Sequence, residues 1–402
     1  MPKPYYHSSI MEQEQKEPPW PLEPWKDVEY ISLANMQLPP FILYQAGWKE
    51  TQHTEIHNVK EQITLFNNPD EWELRKKITN PYEAIFSGHE HFPSVSSTEP
   101  LSRSYFKMIE MINILPAPLP TTFCTAHVCE GPGGFIQAIT DYASTNSRIV
   151  PKIYAMTLRA TKATIPGWRR SAKYLRDHPE ITLEYGADDT GDIMSVQNQR
   201  NYVKSCRNSP NPITLYTADG GFDFSIDYTK QEQQAFPLIL ASIIIGLQVL
   251  SEDGCMIIKC FDIYSEVMKD LIVGTGSFFD KMTLYKPATS RPCNSERYFI
   301  AAGYKGHTKA ARWIQHLQEA QERQRQSVLT RLFLCPLPKP LIAAFEEQIV
   351  LQENLQMQSI YDTLNLDKSL LHKYVERNIT VSKGWCDTFG IPMKSYFHLT
   401  SA

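Results

Sequence analysis

The segment VCEGPGGF, residues 128–135, places a glycine cluster directly after an apolar run and directly before the helical pattern FIQAITDYAS. A strand that leads through a glycine turn into a helix is typical of loops that hold nucleotides and nucleotide-like cofactors. A tight turn without a ligand is the simpler alternative. Glu130 favours a ligand, because an acidic residue at the end of a strand is placed to accept hydrogen bonds from a bound cofactor.

The glycine spacing argues against a nicotinamide dinucleotide. The dinucleotide fingerprint is G-x-G-x-x-G, whose third glycine lets helix and strand pack closely. Gly131 and Gly133 fit the first two positions, but Ile136 occupies the third. The second strand of such a site ends in Asp or Glu, which binds the ribose, whereas this one reads AMTLR, with Thr157 near its end.

Bulk composition excludes several classes of protein. The net charge of −4 over 402 residues does not indicate a general nucleic-acid binder, so any such contact must depend on local patches. The 8 cysteines form no CxxC pair and no zinc-like spacing, which predicts reduced thiols in an intracellular protein and no metal. The apolar run at 236–250 is too short to cross a bilayer and predicts a buried helix. The first residues lack the apolar core of a signal peptide.

Strand and helix patterns alternate between residues 101 and 306. A helix is predicted at 102–115. Strands are predicted at TFCTAHVC (122–129), KIYAMTL (152–158), ITLEYG (181–186), ITLYTADGG (213–221), GCMIIKCF (254–261), KMTLYKP (281–287) and RYFIAAGY (297–304). This alternation implies an α/β fold with a mostly parallel, seven-stranded sheet and helices on both faces. The last two strands are close enough in sequence to form an antiparallel hairpin.

The regions that flank this alternating part differ from it in composition and in predicted structure. Residues 1–30 are rich in Pro, Glu and Gln and predict an extended or flexible arm. Residues 31–100 form an N-terminal extension without a clear period, which we interpret as an RNA- or cap-binding part. Residues 101–306 form the α/β domain. Residues 307–402 are predicted to be helical, with one helix at 308–334 and another at 341–364.

Three charged residues follow or interrupt predicted strands near the edge where open α/β sheets bind ligands. They are Asp219 in TADGG, Lys259 in IIKCF and Glu296 in NSERY, and Lys107 lies on the preceding helix. Lys259 interrupts an apolar run, and a buried lysine either pairs with a carboxylate or has a lowered pKa. A purely structural ion pair explains the pattern equally well.

The motifs SRSYFK, CEGPGGF, ADGGFD, IIKCFD and KPATSRPCNSERYFI resemble, in this order, those of the FtsJ-type RNA ribose 2′-O-methyltransferases. The residues of these motifs are most similar to those of the mRNA cap (Adrift-type) branch, which includes relatives in large DNA viruses. The resemblance covers about residues 100–305 and implies a Rossmann-like methyltransferase fold with S-adenosylmethionine as cofactor. It also implies a catalytic Lys-Asp-Lys-Glu tetrad, here Lys107, Asp219, Lys259 and Glu296.

The same resemblance assigns the cofactor site. The residues it implies are Glu130, Gly131, Pro132, Gly133, Gly134, Phe135, Thr157, Asp188 and Asp219. Asp188 would face the adenine, with Asp189 as an alternative, and either carboxylate would equally well cap the turn. Thr157 replaces the acidic residue that many family members use to bind the ribose, and we interpret it as a marker of the cap branch.

The residue types suit methyl transfer to a hydroxyl. A lysine with a depressed pKa can orient the 2′-hydroxyl, accept its proton or stabilise the developing alkoxide. Asp219 and Glu296 would hold the two lysines in place. The methyl donor is already activated, so alignment of the reacting atoms is most of the catalysis and no metal is required.

Two segments are candidates for RNA contact. The stretch 159–176 is basic and free of acidic residues, which predicts either a solvated helix face or a phosphate-binding rim. The candidate RNA-binding residues are Arg159, Lys162, Arg169, Arg170, Ser290, Arg291 and Ser295. Trp168 would stack on a base or belong to the core. For a cap purine, the stacking candidates are Trp20, Trp25, Trp48, Trp72 and Tyr105.

These patterns favour a cap ribose 2′-O-methyltransferase that acts on the first or second transcribed nucleotide. The alternatives are 2′-O-methylation of ribosomal or transfer RNA, and a non-catalytic RNA-binding subunit that kept the fold. The expected partners are capped mRNA and a capping enzyme or polymerase, without a membrane. The expected location is the nucleus or the cytoplasm, or a viral factory or virion for a viral member.

Overall fold

The structure is a computed structural model that describes residues 23–33, 38–45, 54–64, 66, 68–87, 93–161, 166–221 and 231–395. Its strands are β1 (Ile31–Ser32), β2 (Phe41–Gln45), β3 (Cys124–Val128), β4 (Ile153–Met156), β5 (Ile181–Glu184), β6 (Ile213–Ala218), β7 (Cys255–Cys260), β8 (Phe279–Tyr285), β9 (Arg297–Tyr304) and β10 (Leu329–Phe333). Its α-helices are α1 (Thr54–Thr64), α2 (Pro69–Thr79), α3 (Ser104–Asn113), α4 (Gly134–Thr145), α5 (Ala172–Asp177), α6 (Val196–Arg207), α7 (Gln231–Val249), α8 (Glu266–Gly276), α9 (His307–Gln324), α10 (Lys339–Leu364) and α11 (Leu371–Phe389).

The main sheet has the strand order β1-β8-β9-β7-β6-β3-β4-β5. The adjacent strands β7, β6, β3, β4 and β5 are parallel to one another, whereas β9 runs antiparallel to both β7 and β8. The predicted α/β fold with a mostly parallel, seven-stranded sheet is therefore confirmed, as is the hairpin of the last two strands. The short strand β1 adds an eighth strand, antiparallel to β8, at one edge.

Helices cover both faces of the sheet, which explains why the buried positions of its strands are mostly apolar. One face packs Tyr216 and Met256 against α7 and α8, and the other packs Leu215 and Ile257 against α3 and α4. All five residues of β3 are buried. Strands buried on both sides lack the alternation of polar and apolar residues that a half-exposed strand shows.

Helix α7 holds the most apolar run of the described chain. By length and composition it is the one described helix that could cross a membrane, but 72% of its apolar window is buried inside the protein. It lies between the sheet and helices α6, α8 and α9. The prediction of a buried helix at 236–250 is therefore confirmed.

The regions on either side of the central α/β part pack against each other. Strand β2 pairs antiparallel with β10, and α1 and α2 pack against α10. The Thr79 and Thr363 hydroxyl oxygens are 2.8 Å apart, and the Asn378 side chain donates to the Ile78 carbonyl at 2.9 Å. The boundaries drawn at residues 30, 100 and 306 stay a prediction, and residues 1–22 of the expected arm lie outside the described chain.

The helix predicted at 308–334 is wrong in its last third. Helix α9 ends at Gln324, and residues 329–333 form β10. The buried residues Leu329, Leu332 and Phe333 have the i, i+3, i+4 spacing of a helix face, which explains the error. The partner strand β2 lies almost 290 residues earlier in the chain, so local periodicity gives no sign of it.

Two glycines in the middle of helices provide a test of the packing. A Cβ on Gly246 of α7 would lie 2.6 Å from the ring of Tyr216, which is fixed by a 2.8 Å hydrogen bond to the Ser242 carbonyl. A Cβ on Gly384 of α11 would meet nothing within 4 Å. We expect Gly246→Ala to lower the free energy of unfolding by about 1–3 kcal/mol through overpacking, and Gly384→Ala to raise it by up to about 1 kcal/mol through helix propensity.

Denaturant unfolding of the two variants beside the wild type measures both changes. Equal effects of the same sign at the two positions would contradict the placement of α7 against β6.

Candidate active site

Three strands deliver charged side chains to one edge of the sheet. Asp219 directly follows β6, Lys259 is the penultimate residue of β7, and Glu296 directly precedes β9. Because β9 runs antiparallel to β7, its first residue lies at the edge where β6 and β7 end. Lys107 joins them from helix α3.

The four side chains form an alternating chain of charges. Lys259 Nζ lies 3.3 Å from Asp219 Oδ1 and 3.2 Å from Glu296 Oε2, and Lys107 Nζ lies 2.6 Å from Glu296 Oε1. Each side chain retains between 11% and 15% exposure. The array is therefore largely desolvated but still open to a ligand on one side. The structure brings together all four residues predicted as catalytic, while their catalytic role stays a prediction.

Further hydrogen bonds fix the two carboxylates and the loop before Glu296. The buried Tyr298 hydroxyl donates to Asp219 Oδ1 at 2.9 Å, and the Ser290 hydroxyl donates to Glu296 Oε1 at 2.9 Å. Lys286 Nζ donates to the backbone carbonyls of Asn294 and Glu296, at 2.5 and 2.8 Å. These bonds leave the carboxylates little freedom to turn away from the lysines.

The expectation of a depressed pKa at Lys259 is wrong for this structure. Burial alone lowers the pKa of Lys259, but Asp219 and Glu296 together more than compensate and raise it above its ordinary value. Burial likewise favours a neutral Glu296, yet Lys107 and Lys259 hold the pKa of that carboxyl well below its ordinary value. In this structure Lys259 is therefore an ammonium paired with two carboxylates.

The glycine loop holds another buried carboxyl group, that of Glu130. Glu130 Oε1 accepts hydrogen bonds from the N–H groups of Phe135 and Ile136, at 2.8 and 3.3 Å, at the start of α4. Its Oε2 is buried and has no hydrogen-bond partner among the described residues. Burial, helped by the charge of Asp219, raises the pKa of Glu130 well above its ordinary value. One oxygen therefore caps the helix and the other remains for a ligand.

The loop is pressed between two neighbouring segments. A Cβ at Gly131 would lie 2.8 Å from the Pro166 carbonyl, and Gly133 has a φ of 106°, a left-handed backbone that favours glycine. The Ser171 hydroxyl donates to the Pro132 carbonyl. The ring of Phe135 is fully buried against Tyr298, so at this predicted cofactor residue the side chain belongs to the core.

The segment expected to face adenine forms a closed turn. Asp188 Oδ1 accepts from the Thr190 N–H, the Thr190 hydroxyl and the Asn198 amide, at 3.0, 2.6 and 2.8 Å. Its neighbour Asp189 pairs with Arg159 at 2.5 Å. These contacts are those of the turn-capping alternative, and the adenine contact of Asp188 stays a prediction.

Asp192 is a further candidate that the sequence patterns do not single out. It is partly buried and accepts from the Met194 N–H at 2.9 Å. Burial raises the pKa of the Cys129 thiol, directly after β3, and the charges of Asp219 and Asp192 raise it further. The preceding Gly191, with a φ of 73°, packs directly on the carbonyl of the buried Thr157. Asp192 thus lies near the carboxyl ends of β3 and β4.

Two arginines of the basic segment lie next to the glycine loop. Arg169 and Arg170 are exposed in a 3-10 turn, Trp168–Ser171, that Ser171 ties to Pro132. Arg159 is exposed as well, but it is paired with Asp189, and Lys162 lies outside the described residues. Trp168 is buried in the core, as its simpler interpretation predicts.

The other three predicted RNA-binding residues are bonded internally. Arg291 makes a bidentate pair with the buried Glu83, at 2.9 and 3.1 Å, and Ser290 contacts Glu296. The Ser295 hydroxyl donates to the Gln231 amide oxygen at 2.5 Å. In this structure they shape the loop before Glu296, and their contact with RNA stays a prediction.

The aromatic candidates for cap stacking differ in exposure. Trp72 and Tyr105 are buried in the core, which removes them as stacking platforms in this structure. Trp25 is half-buried against Tyr82 and Phe389. Trp20 and Trp48 lie outside the described residues.

A comparison with protein families shows which family the chain belongs to. The family model described as "FtsJ-like methyltransferase" matches residues 100–304, a span that contains the whole charge array and the glycine loop. The chain belongs to this family. A solved structure of a putative ribosomal RNA methyltransferase from Plasmodium falciparum has a TM-score of 0.37 and 16% identity, covering 51% of this chain and 99% of that one.

Named relatives come from protists, a mammal and a virus. A cap-specific mRNA (nucleoside-2′-O-)-methyltransferase 1 of Leishmania braziliensis is 31% identical over 49% of this chain and 48% of the relative. A probable methyltransferase of African swine fever virus is 26% identical over 73% and 65%, respectively. A cap-specific mRNA (nucleoside-2′-O-)-methyltransferase 2 of Mus musculus is 24% identical over 75% and 40%. The chain thus spans between 40% and 65% of the length of these relatives.

Lys286 provides a test of the electrostatics. Burial lowers the pKa of Lys286 to about 7, with a smaller contribution from Arg297 and Lys107 and opposition from Glu296. In protein labelled with ¹³C-lysine, we expect one ε-carbon signal to titrate near pH 7, and to be absent in Lys286→Met. Since Lys286 binds fewer protons when folded, its contribution to the free energy of unfolding grows as the pH rises from about 7 toward the ordinary lysine pKa.

Lys269→Met, which removes a lysine paired with Glu346 at 2.7 Å, is the control and should retain the signal. A spectrum without any lysine signal that titrates below pH 9 would contradict the burial of Lys286.

Proposed function

We propose that the protein transfers the methyl group of S-adenosylmethionine to a ribose 2′-hydroxyl of RNA, at the first or second transcribed nucleotide of a capped mRNA. The observation that carries the proposal is the alternating array of Asp219, Lys259, Glu296 and Lys107 beside a glycine loop. Membership of the methyltransferase family supports the reaction type. The cap-specific names of relatives in protists and a mammal support capped mRNA as the substrate.

The glycine loop fits S-adenosylmethionine. An unpaired buried oxygen such as Glu130 Oε2 costs about 1–3 kcal/mol, and a donor from the cofactor would remove that cost. Two features suit a cofactor that carries an ammonium, a sulfonium and an adenosine: the cluster of carboxylates and the close-packed glycines. The residues that would hold it are Glu130, the backbone of residues 131–134, Thr157, Asp219, and either Asp188 or Asp192.

S-adenosylmethionine would supply an activated methyl group, so the ribose oxygen–carbon bond forms as the sulfur–carbon bond breaks, with that electron pair left on sulfur. Lys259, as an ammonium, would hydrogen-bond the ribose oxygen and stabilise the negative charge that develops on it. The two carboxylates keep Lys259 charged and correctly aimed, and Lys107 keeps Glu296 in place. Since Lys259 retains its proton, the hydroxyl proton would pass to water.

The exposed rim at Arg169 and Arg170 is the surface on which we place the RNA backbone. It is tied to the glycine loop through Ser171, so phosphates bound there would run past the cofactor. Arg159 and Lys162 would extend the rim. The loop at 290–295 would border the target ribose from the other side. Action on mRNA implies an intracellular location, and we retain a capping enzyme or polymerase as the protein partner.

A methyl-transfer assay tests the substrate. The full chain is incubated with a labelled methyl donor and with capped oligonucleotides, the same oligonucleotides without a cap, or structured ribosomal and transfer RNA. Label should appear at the 2′-hydroxyl of the first or second nucleotide of the capped RNA. Transfer to ribosomal or transfer RNA alone would replace the cap assignment, and RNA binding without any transfer would indicate a non-catalytic subunit.

Lys259→Met tests the role of the array. We expect kcat to fall by about 100-fold or more, as is typical when a donor to a developing oxyanion is lost. Binding of S-adenosylhomocysteine, measured by calorimetry, should be retained, because the hydrogen bonds of Glu130 and the close packing of Gly131 and Gly133 do not involve Lys259. Lys269→Met removes another buried lysine ion pair, on α8, and should leave kcat unchanged. Near-normal turnover in Lys259→Met would show that the array is only structural.

A further inference from the structure

Glu110 is a fully buried carboxylate on α3, one turn beyond Lys107. Its Oε2 accepts from the Tyr285 hydroxyl at 2.9 Å and the Ala288 N–H at 2.8 Å. Its Oε1 accepts from the Thr289 N–H at 2.9 Å and from Trp385 Nε1 at 3.2 Å. One side chain therefore joins three separate parts of the chain: α3, the segment after β8, and helix α11.

All four of these partners are donors. An ionised carboxylate is a pure acceptor with room for four such bonds, so it is fully matched here. An amide in its place would direct an NH₂ group against two of the donors. Burial raises the pKa of Glu110, and the donors offset part of this rise. The match between acceptor and donors fixes the position of the segment at 285–289 on α3.

That segment continues directly into the charge array. Ser290, the residue after Thr289, donates to Glu296 Oε1, the same oxygen that Lys107 contacts from α3. Lys286, within the segment, donates to the Glu296 carbonyl. Glu110 thus ties together the two elements that meet at Glu296: the helix that carries Lys107 and the loop that carries Ser290.

The C-terminal helices hold the same loop from outside. Trp385 of α11 is 1% exposed and reaches Glu110 through the core. Helix α10 adds a bond from the Gln356 amide to the Cys293 carbonyl at 3.1 Å, and Cys293 Sγ lies 3.2 Å from the Ser359 hydroxyl. The loop before Glu296 is therefore enclosed between α3 and the helical C-terminal region.

We propose that Glu110 is a positioning residue for methyl transfer, through which the C-terminal region holds Glu296 and Lys107 in register. This inference depends on the function proposed above. The described hydrogen bonds of the Glu110 side chain go to Tyr285, Ala288, Thr289 and Trp385 and not to the array, so Glu110 acts through the segment at 285–290. It gives the C-terminal region a part in the geometry of the site.

The test uses the full chain with Glu110→Gln, Tyr285→Phe and Trp385→Phe. The last two remove one donor each and keep most of the packing. Tyr304→Phe is the matched control: Tyr304 is similarly buried, donates to the Leu247 carbonyl at 2.7 Å, and ends β9, roughly 26 Å along the strand from Glu296. If Glu110→Gln does not fold, the two single-donor variants carry the test.

For Glu110→Gln we expect kcat to fall about 10- to 100-fold, because small misplacements of reacting groups have effects of that size. The KM for RNA and the affinity for S-adenosylhomocysteine should stay nearly unchanged. Amide hydrogen exchange in peptides covering 285–296 should speed up about ten-fold, while peptides covering 129–136 keep their protection. Tyr285→Phe and Trp385→Phe should shift both quantities in the same direction by less, and Tyr304→Phe should shift neither.

Unchanged kcat in the folded variants would overturn the proposal, as would faster exchange spread evenly over the chain. An equal loss of kcat in Tyr304→Phe would also overturn it, since general destabilisation would then explain the effect. Absence of methyl transfer by the wild type would instead reject the proposed function. Local exchange at 285–296 would in that case still decide whether Glu110 fixes the loop.

Discussion

The ammonium of Lys259, held between two carboxylates inside an apolar strand, is the interaction on which the rest of the site depends. A buried charge without a partner is very costly, and removing one partner of a buried pair typically destabilises a protein by about 3–5 kcal/mol. Asp219 and Glu296 must therefore arrive at the same edge of the sheet as Lys259. The antiparallel direction of β9 satisfies this requirement, because it brings the residue before the strand to the edge where β6 and β7 end.

Helix α3 supports both halves of the site. Ser104, at its start, packs on Gly134 of the glycine loop. Lys107 reaches the charge array in the next turn, and Glu110 anchors the segment before Glu296. A single rigid element thus relates the loop that would hold the cofactor to the charges that would face the ribose. A displacement of α3 would move the glycine loop and the charge array together. In-line alignment of methyl donor and acceptor therefore requires α3 to stay in place.

Local sequence patterns were sufficient for the α/β sheet and pointed to Asp219, Lys259 and Glu296 near strand ends, because alternating apolar segments and strand ends are encoded nearby in the chain. The grouping of these three residues with Lys107 came from the family resemblance. Local patterns were insufficient where burial involves polar residues or distant partners. Residues 307–402 were predicted to be helical, but α11 received no bounds of its own, because its buried face includes the polar residues Asn378 and Ser382, which bond to carbonyls of the N-terminal region. Arg291 looked available for RNA because its partner, Glu83, lies 208 residues earlier. The raised pKa of Lys259 depends on two simultaneous contacts, which only the folded chain defines.

The pairing of β2 with β10, and of Trp385 with Glu110, has a consequence for synthesis of the protein. Both contacts join the last quarter of the chain to segments made much earlier. At a translation rate of roughly 5–20 residues per second, the ribosome needs on the order of 10 s to proceed from β9 to α11. During that interval strands β3 to β9 have been made, while the loop before Glu296 still lacks its outer support. We therefore expect the loop before Glu296 to reach its final position only after α10 and α11 have been made.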